Sequence, residues 1–217
     1  MLGIRGLSAA KFAIAVFAMA SVVVASNYLV QFPVQGMLGS INLADLLTWG
    51  AFTYPAAFLV TDLTNRRFGP NAARMVVAVG FVLAVVLSIW LATPRIAIAS
   101  GSAFLIAQLL DVTVFDRLRR SAWWKAPFIS SLLGSIVDTV LFFSLAFAAG
   151  FSTTFGYHDG FAVEAAPLFG VFAVEMPRWI SWALGDFAVK IAVSVAMLAP
   201  YRIVLNFLRT APEESPA

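Results

Sequence analysis

Apolar residues come in long blocks along this chain, and polar residues gather in short stretches between them. A helix needs about 20 apolar residues to cross the hydrocarbon core of a bilayer. Windows of that kind predict six spans, at residues 11–30, 43–63, 73–92, 96–115, 128–150 and 180–208. The second is interrupted by Trp49, Gly50, Thr53, Tyr54 and Pro55. Such a run is either a proline kink or a break facing protein or a water-filled cavity. The last span holds Pro200 and is expected to kink or tilt. The first is read as a retained span, because no small-residue cleavage site followed by a polar mature domain comes after it. The expected fold is all-α: a polytopic membrane protein with one transmembrane domain, 1–217, built as a six-helix bundle. Residues 151–179 are expected as an external loop, forming a lid, a re-entrant piece or an interfacial helix, and 210–217 as a disordered tail.

Charge orients the spans. Arg66, Arg67 and Arg74 lie between spans two and three, and Arg117, Arg119, Arg120 and Lys125 between spans four and five. Arg5 and Lys11 precede or open span one, and Arg202 and Arg209 close span six, whereas the alternate loops hold only Arg95 and Arg178. Basic loops stay in the cytoplasm, so both termini are expected there. Trp90, Trp123, Trp124 and Trp179 fall near predicted span ends, where an aromatic belt would place them.

Composition narrows the function. The 217 residues are 61% hydrophobic and 12% charged, with mean hydropathy +0.92, against about 25% charge in a soluble domain. The chain has no cysteine, which excludes disulfides and thiolate chemistry. The net charge of +3 is accounted for by basic cytoplasmic loops, and no basic-aromatic patch points to nucleic acid. A lone His158 cannot build a His-based metal site, and neither a phosphate-binding loop nor a nucleophile elbow is present. The chain therefore reads as a non-enzyme with no cofactor and no metal.

The candidate chemistry lies in polar residues inside apolar runs, where an ionisable group costs roughly 2.5–3.5 kcal/mol and is usually paired or functional. Asp138 lies mid-span in the fifth run, and Ser131, Ser135 and Asp138 share one helical stripe. Asp186 and Lys190 are spaced i, i+4 in the favourable order for a helical ion pair. Gln108 and Asp111 share a face of span four, with Phe115 one turn on; Asn27 lies near the outer end of span one, and Asp62 ends span two. These groups avoid lipid only by converging on an interior. Carboxylates and amides beside aromatic faces such as Phe32, Trp49, Tyr54 and Phe115 suit a polar, planar solute. Each also has a structural reading: an ion pair that neutralises itself, an interhelical hydrogen bond, or a loop cap pairing Asp62 with Arg66 or Asp111 with Arg119.

Several stretches, read in order, carry a resemblance. Ser26-Asn27-Tyr28-Leu29-Val30-Gln31-Phe32-Pro33, Thr48-Trp49-Gly50-Ala51-Phe52 and Phe58-Leu59-Val60-Thr61-Asp62-Leu63-Thr64 are followed by Arg95-Ile96-Ala97, Gln108-Leu109-Leu110-Asp111-Val112, Trp123-Trp124 and Asp138-Thr139. Phe142-Phe143, Asp186-Phe187, Lys190 and Pro200 complete the series. This order and spacing resemble the queuosine precursor transporters, the vitamin-uptake-like transporter (VUT) family of bacterial inner-membrane proteins. The match runs from about Ser21 to Leu208, except over 151–179, which is longer here than the family pattern. The resemblance implies import of a 7-deazaguanine, chiefly 7-cyano-7-deazaguanine and secondarily 7-aminomethyl-7-deazaguanine, for making queuosine in tRNA. Asn27, Asp62, Gln108, Asp111, Asp138 and Lys190, then Asp186, Arg95, Trp49 and Phe115, are the expected substrate-binding residues. Asp138 is expected to touch the base and Asp186 to hold Lys190. The expected partners are the deazaguanine and the lipid bilayer. A homo-oligomer is compatible with the chain, and Ala9-x-x-x-Ala13 could dock a partner helix. The alternative is a substrate-capture module of an energy-coupling-factor-type importer that needs partner subunits.

Overall fold

The computed structural model describes residues 9–156 and 158–210. Among the described residues, five helices are long and apolar enough to cross a membrane: α1 (Ala9–Leu29), α4 (Pro70–Leu91), α5 (Pro94–Leu118), α6 (Lys125–Phe147) and α9 (Arg178–Thr210). Their ends agree with the predicted spans to within three residues. The shifts come from capping: Pro70 and Pro94 open their helices at the first turn, where a missing N–H costs nothing. Thr93 caps α5 by accepting from the Ile96 N–H at 3.4 Å. Large apolar side chains such as Phe17, Val82, Ile89, Val140, Ile203 and Phe207 are more than half exposed. In water this would be a liability; in a bilayer it is the lipid-facing surface.

The second predicted span is corrected. Residues 43–48 form a short 3₁₀ turn (Leu43–Asp45) and a loop, preceded by a two-residue hairpin of β1 (Met37–Leu38) and β2 (Ile41–Asn42). Helix begins only at α2 (Trp49–Thr53) and resumes as α3 (Ala56–Phe68). Pro55 causes the break, because it has no N–H to bond back to Ala51. The ladder continues with tighter bonds, from the Ala57 N–H to the Tyr54 carbonyl at 3.0 Å and from Phe58 to Pro55 at 3.1 Å. Six full-length apolar helices are therefore not seen among the described residues.

Helix α6 packs closely on α3 and α5 through Gly134, where a Cβ would come 2.7 Å from Phe58 Cε1 of α3 and 3.4 Å from the Ala107 carbonyl of α5. Gly50 does the same for α2 and α1, since a Cβ there would lie 2.9 Å from the Val30 Cα. One apolar cluster joins α1, α3, α4 and α5 through Met19, Val23, Ala57, Val76, Val77 and Phe104. A second joins α5, α6 and α9 through Phe115, Ala126, Tyr201 and Leu205.

The stretch 151–179 is structured rather than an open loop. After a 3₁₀ turn (Ala149–Phe151) come α7 (Ser152–Phe155) and α8 (Gly160–Val163). Then β3 (Ala165–Leu168) pairs antiparallel with β4 (Phe172–Pro177) across a turn in which Phe169 and Gly170 have positive φ. The Phe169 N–H donates to the Ser181 hydroxyl at 3.0 Å, which ties the hairpin to α9. Of the expected tail, 211–217 lies outside the described residues, and Thr210 ends α9.

Candidate functional site

A cavity of about 810 Å³ opens among α1, α2, α4, α5, α6 and α9, within the usual size for small-molecule sites. Its mouth is formed by the 44–48 loop and by residues 90–93 between α4 and α5. Its walls are partly aromatic, with Phe142, Phe143 and Phe147 on α6 and Trp182 on α9. Phe147 meets Trp182 edge-on at 5.4 Å, and Phe161 of α8 packs on the same indole at 6.1 Å, so the 151–179 segment braces one wall.

Three charges make the floor. Lys190 Nζ lies 2.6 Å from Asp138 Oδ2 and is also paired with Asp186 Oδ2. Its third donor reaches the Thr139 hydroxyl at 3.3 Å, and that hydroxyl donates to Asp186 Oδ2 at 3.1 Å. An ammonium has three donors, and here each has an acceptor. The Tyr54 hydroxyl donates to Asp138 Oδ1 at 3.2 Å, while the Lys190 ammonium stands 5.5 Å over the Tyr54 ring. The Pro55 break ends α2 beside the ion pairs and brings Tyr54 onto the floor. Lys190 is thus shared by both carboxylates. Asp138 is the more deeply set, with 6% of its side chain exposed against 15% for Asp186.

Nearer the mouth, Asn27 lines the cavity, donating to the Val23 carbonyl at 2.9 Å and accepting from Ser88 on α4 at 3.3 Å. The remaining predicted residues lie elsewhere. Trp49 is half exposed and packs on Phe52. Arg95 is buried away from the cavity lining: its Nε and Nη2 donate to the Leu145 and Ala148 carbonyls, each at 2.7 Å, at the end of α6. A cation on those orphan carbonyls is a helix C-terminal cap.

Asp62, Gln108, Asp111 and Phe115 form a second group, outside the cavity lining and toward the other ends of the helices. All are buried. The Thr61 hydroxyl donates to Gln108 Oε1 at 2.7 Å, and Asn65 Nδ2 to the Val112 carbonyl at 2.9 Å. Arg66 donates to the Tyr201 hydroxyl at 2.9 Å and to the Arg119 carbonyl, and lies 5.1 Å over Phe115. Neither predicted loop pairing forms, since Arg119 pairs with Asp116 at 3.2 Å.

Sequence reasoning passed over Trp182, whose spacing gave it away: Trp182, Asp186, Lys190 and Ser194 step by four along one face of α9.

Comparison with known proteins agrees with this membrane-embedded, solute-sized site. Residues 48–93 and 87–204 match the family described as "Putative vitamin uptake transporter". The "Queuosine precursor transporter" of Escherichia coli (strain K12) is 36% identical over 209 residues, covering 86% of this chain and 83% of the relative. The chain belongs to this transporter family. A "Probable queuosine precursor transporter" of Haemophilus influenzae is 33% identical, with 86% and 83% covered, and one of Bacillus subtilis is 25% identical, with 71% and 69% covered. No solved structure matches. As a member of the vitamin uptake transporter family, the chain is a multi-pass protein of the bacterial inner membrane and a transporter rather than an enzyme.

Proposed function

We propose that the chain imports a queuosine precursor of the 7-deazaguanine type, 7-cyano-7-deazaguanine or 7-aminomethyl-7-deazaguanine, through the aromatic-walled cavity. The observation that carries this reading is the Asp138–Lys190–Asp186 floor. A guanine-like edge offers N–H donors beside a carbonyl acceptor. The two carboxylates accept its N–H groups, the Lys190 donor that rests on Thr139 turns to its carbonyl, and Trp182 and Phe143 give the ring flat apolar faces. Asp186, the more exposed carboxylate, meets the base first, while Asp138 and Tyr54 keep Lys190 placed from below. Asn27 orients the solute nearer the mouth. The names of the relatives support the same solute class.

The broken segment α2–α3 is the sixth crossing. It spans residues 49–68, helical except at the Tyr54–Pro55 break, and a stretch of that length reaches about 30 Å at helical rise. The basic α3–α4 and α5–α6 connections then lie in the cytoplasm with both termini, and the 151–179 segment lies outside. In that orientation the cavity mouth faces outward and the Arg66–Tyr201–Arg119 contacts close the inner side.

Thermal unfolding of the purified chain against a purine panel tests the reading. A ligand at 100 times its Kd adds about 2.7 kcal/mol to apparent stability. Stabilisation by 7-cyano-7-deazaguanine and not by adenine is expected. Equal or absent stabilisation across the panel would refute the solute assignment.

A further inference from the structure

In the inner cluster the carboxylates are short of donors, and the buried donors left over there, Gln108 Nε2 and Arg66 Nη2, are not placed on them. Asp62 on α3 and Asp111 on α5 are 2% and 0% exposed and lie within hydrogen-bonding reach of each other. Ionised carboxylates only accept. Ser130 on α6 donates to Asp62 Oδ1 at 3.4 Å, and neither oxygen of Asp111 receives a donor among the described residues. The charged group nearest along the chain is Arg66, one turn from Asp62. Its guanidinium is turned to Tyr201, the Arg119 carbonyl and the Phe115 face, with Nη2 unpartnered. The other elements bring neutral groups to Asp62: Pro127 and Ser131 from α6, and Ser194, Met197, Leu198 and Tyr201 from α9. No ion pair to Asp62 or Asp111 forms among the described residues, and two ionised carboxyls in contact away from water repel strongly.

A separate observation points the same way. A void of about 10 Å³ lies against Asp62, Ser131, Ser194 and Tyr201, about the least space that holds one water. Ser135 Oγ and Ser194 Oγ are buried without partners. Ser135 is one turn from Asp138, and Ser194 one turn from Lys190, so these hydroxyls lead from the cavity floor toward the void.

We infer that Asp62 and Asp111 form a proton-binding site that couples solute import to proton entry. This rests on the transport reading above. One proton held between the two carboxyls is the missing donor. It passes from the outer cavity along the hydroxyls and a water to the pair, each step making one O–H bond as another breaks. It leaves to the cytoplasm when the Arg66–Tyr201 contact opens. Nothing is oxidised or reduced.

The test uses the full chain in liposomes, with 7-cyano-7-deazaguanine and a pH dye inside. Acid outside is expected to drive solute accumulation together with internal acidification. In Asp62→Asn and Asp111→Asn, gradient-driven uptake is expected to fall relative to solute counterflow by roughly ten-fold, in the usual range of coupling between sites. Thermal unfolding shows that each variant is folded, and an equal loss of gradient-driven uptake and counterflow in a folded variant would overturn the inference. So would wild-type uptake that ignores the proton gradient or follows sodium. If the wild type shows neither counterflow nor stabilisation by the solute, the transport reading is what fails. The infrared spectrum then judges the site alone: a deuterium-sensitive protonated-carboxyl band at neutral pH that Asp111→Asn removes supports it, and absence of that band overturns it.

Discussion

Two acidic clusters lie at different depths of one bundle and are held in opposite ways. At the cavity floor Lys190 places a donor on each of two carboxylates, and Tyr54 and Thr139 supply more. In the inner cluster one serine donates to Asp62, no donor reaches Asp111 among the described residues, and the nearby arginine is turned aside. A satisfied cluster is a fixed template, which suits recognition of a solute. An unsatisfied one changes state when a proton or water arrives, which suits coupling.

The largest effect that would break this comparison is at Lys190. Lys190→Met leaves two buried carboxylates without their cation, and removing one partner of a buried pair costs about 3–5 kcal/mol. Thermal unfolding should show a loss of that size together with lost uptake. Asp62→Asn should cost clearly less, because no ion pair is broken there; an equal loss would erase the distinction between the clusters. Next in size is Gly134→Val on α6, between the two clusters. Its added carbons meet Phe58, and overpacking of this kind costs about 1–3 kcal/mol. Arg66→Gln is expected to change stability less and accessibility more. The chain has no native cysteine, so Ser194→Cys alone reports on the inner path. Its labelling from the cytoplasmic side should speed up when Arg66→Gln is added, and unchanged labelling would mean that Arg66 is no gate. The smallest effect is at Glu164, whose pair with Arg178 at 3.2 Å is well exposed. Glu164→Gln should shift stability by less than about 1 kcal/mol, with uptake unaltered.

The spans and the floor were legible because each rests on a local pattern. Apolar windows located five helices, and charges stranded in apolar runs marked Asp138, Asp186 and Lys190 before any contact was known. The i, i+4 step paired Asp186 with Lys190 but was blind to the tertiary contact that gives Lys190 to Asp138 as well. The second span was misplaced because Ala44, Leu46 and Leu47 are apolar yet line a cavity mouth. Hydropathy cannot separate that surrounding from lipid. Arg95 became a candidate through the family resemblance, and nothing local showed that it donates to carbonyls at the end of α6. The β3–β4 hairpin was hidden because its alternation is short and mostly exposed on both faces.

The most direct test of the central claim is the time course of labelled 7-cyano-7-deazaguanine uptake into liposomes holding this chain as their sole protein, beside Lys190→Met. The floor of ion pairs predicts saturable wild-type uptake, competed by 7-aminomethyl-7-deazaguanine and not by adenine, with no uptake by the variant. Wild-type liposomes that stay empty until partner subunits are added, or a variant that imports at the wild-type rate, would contradict it.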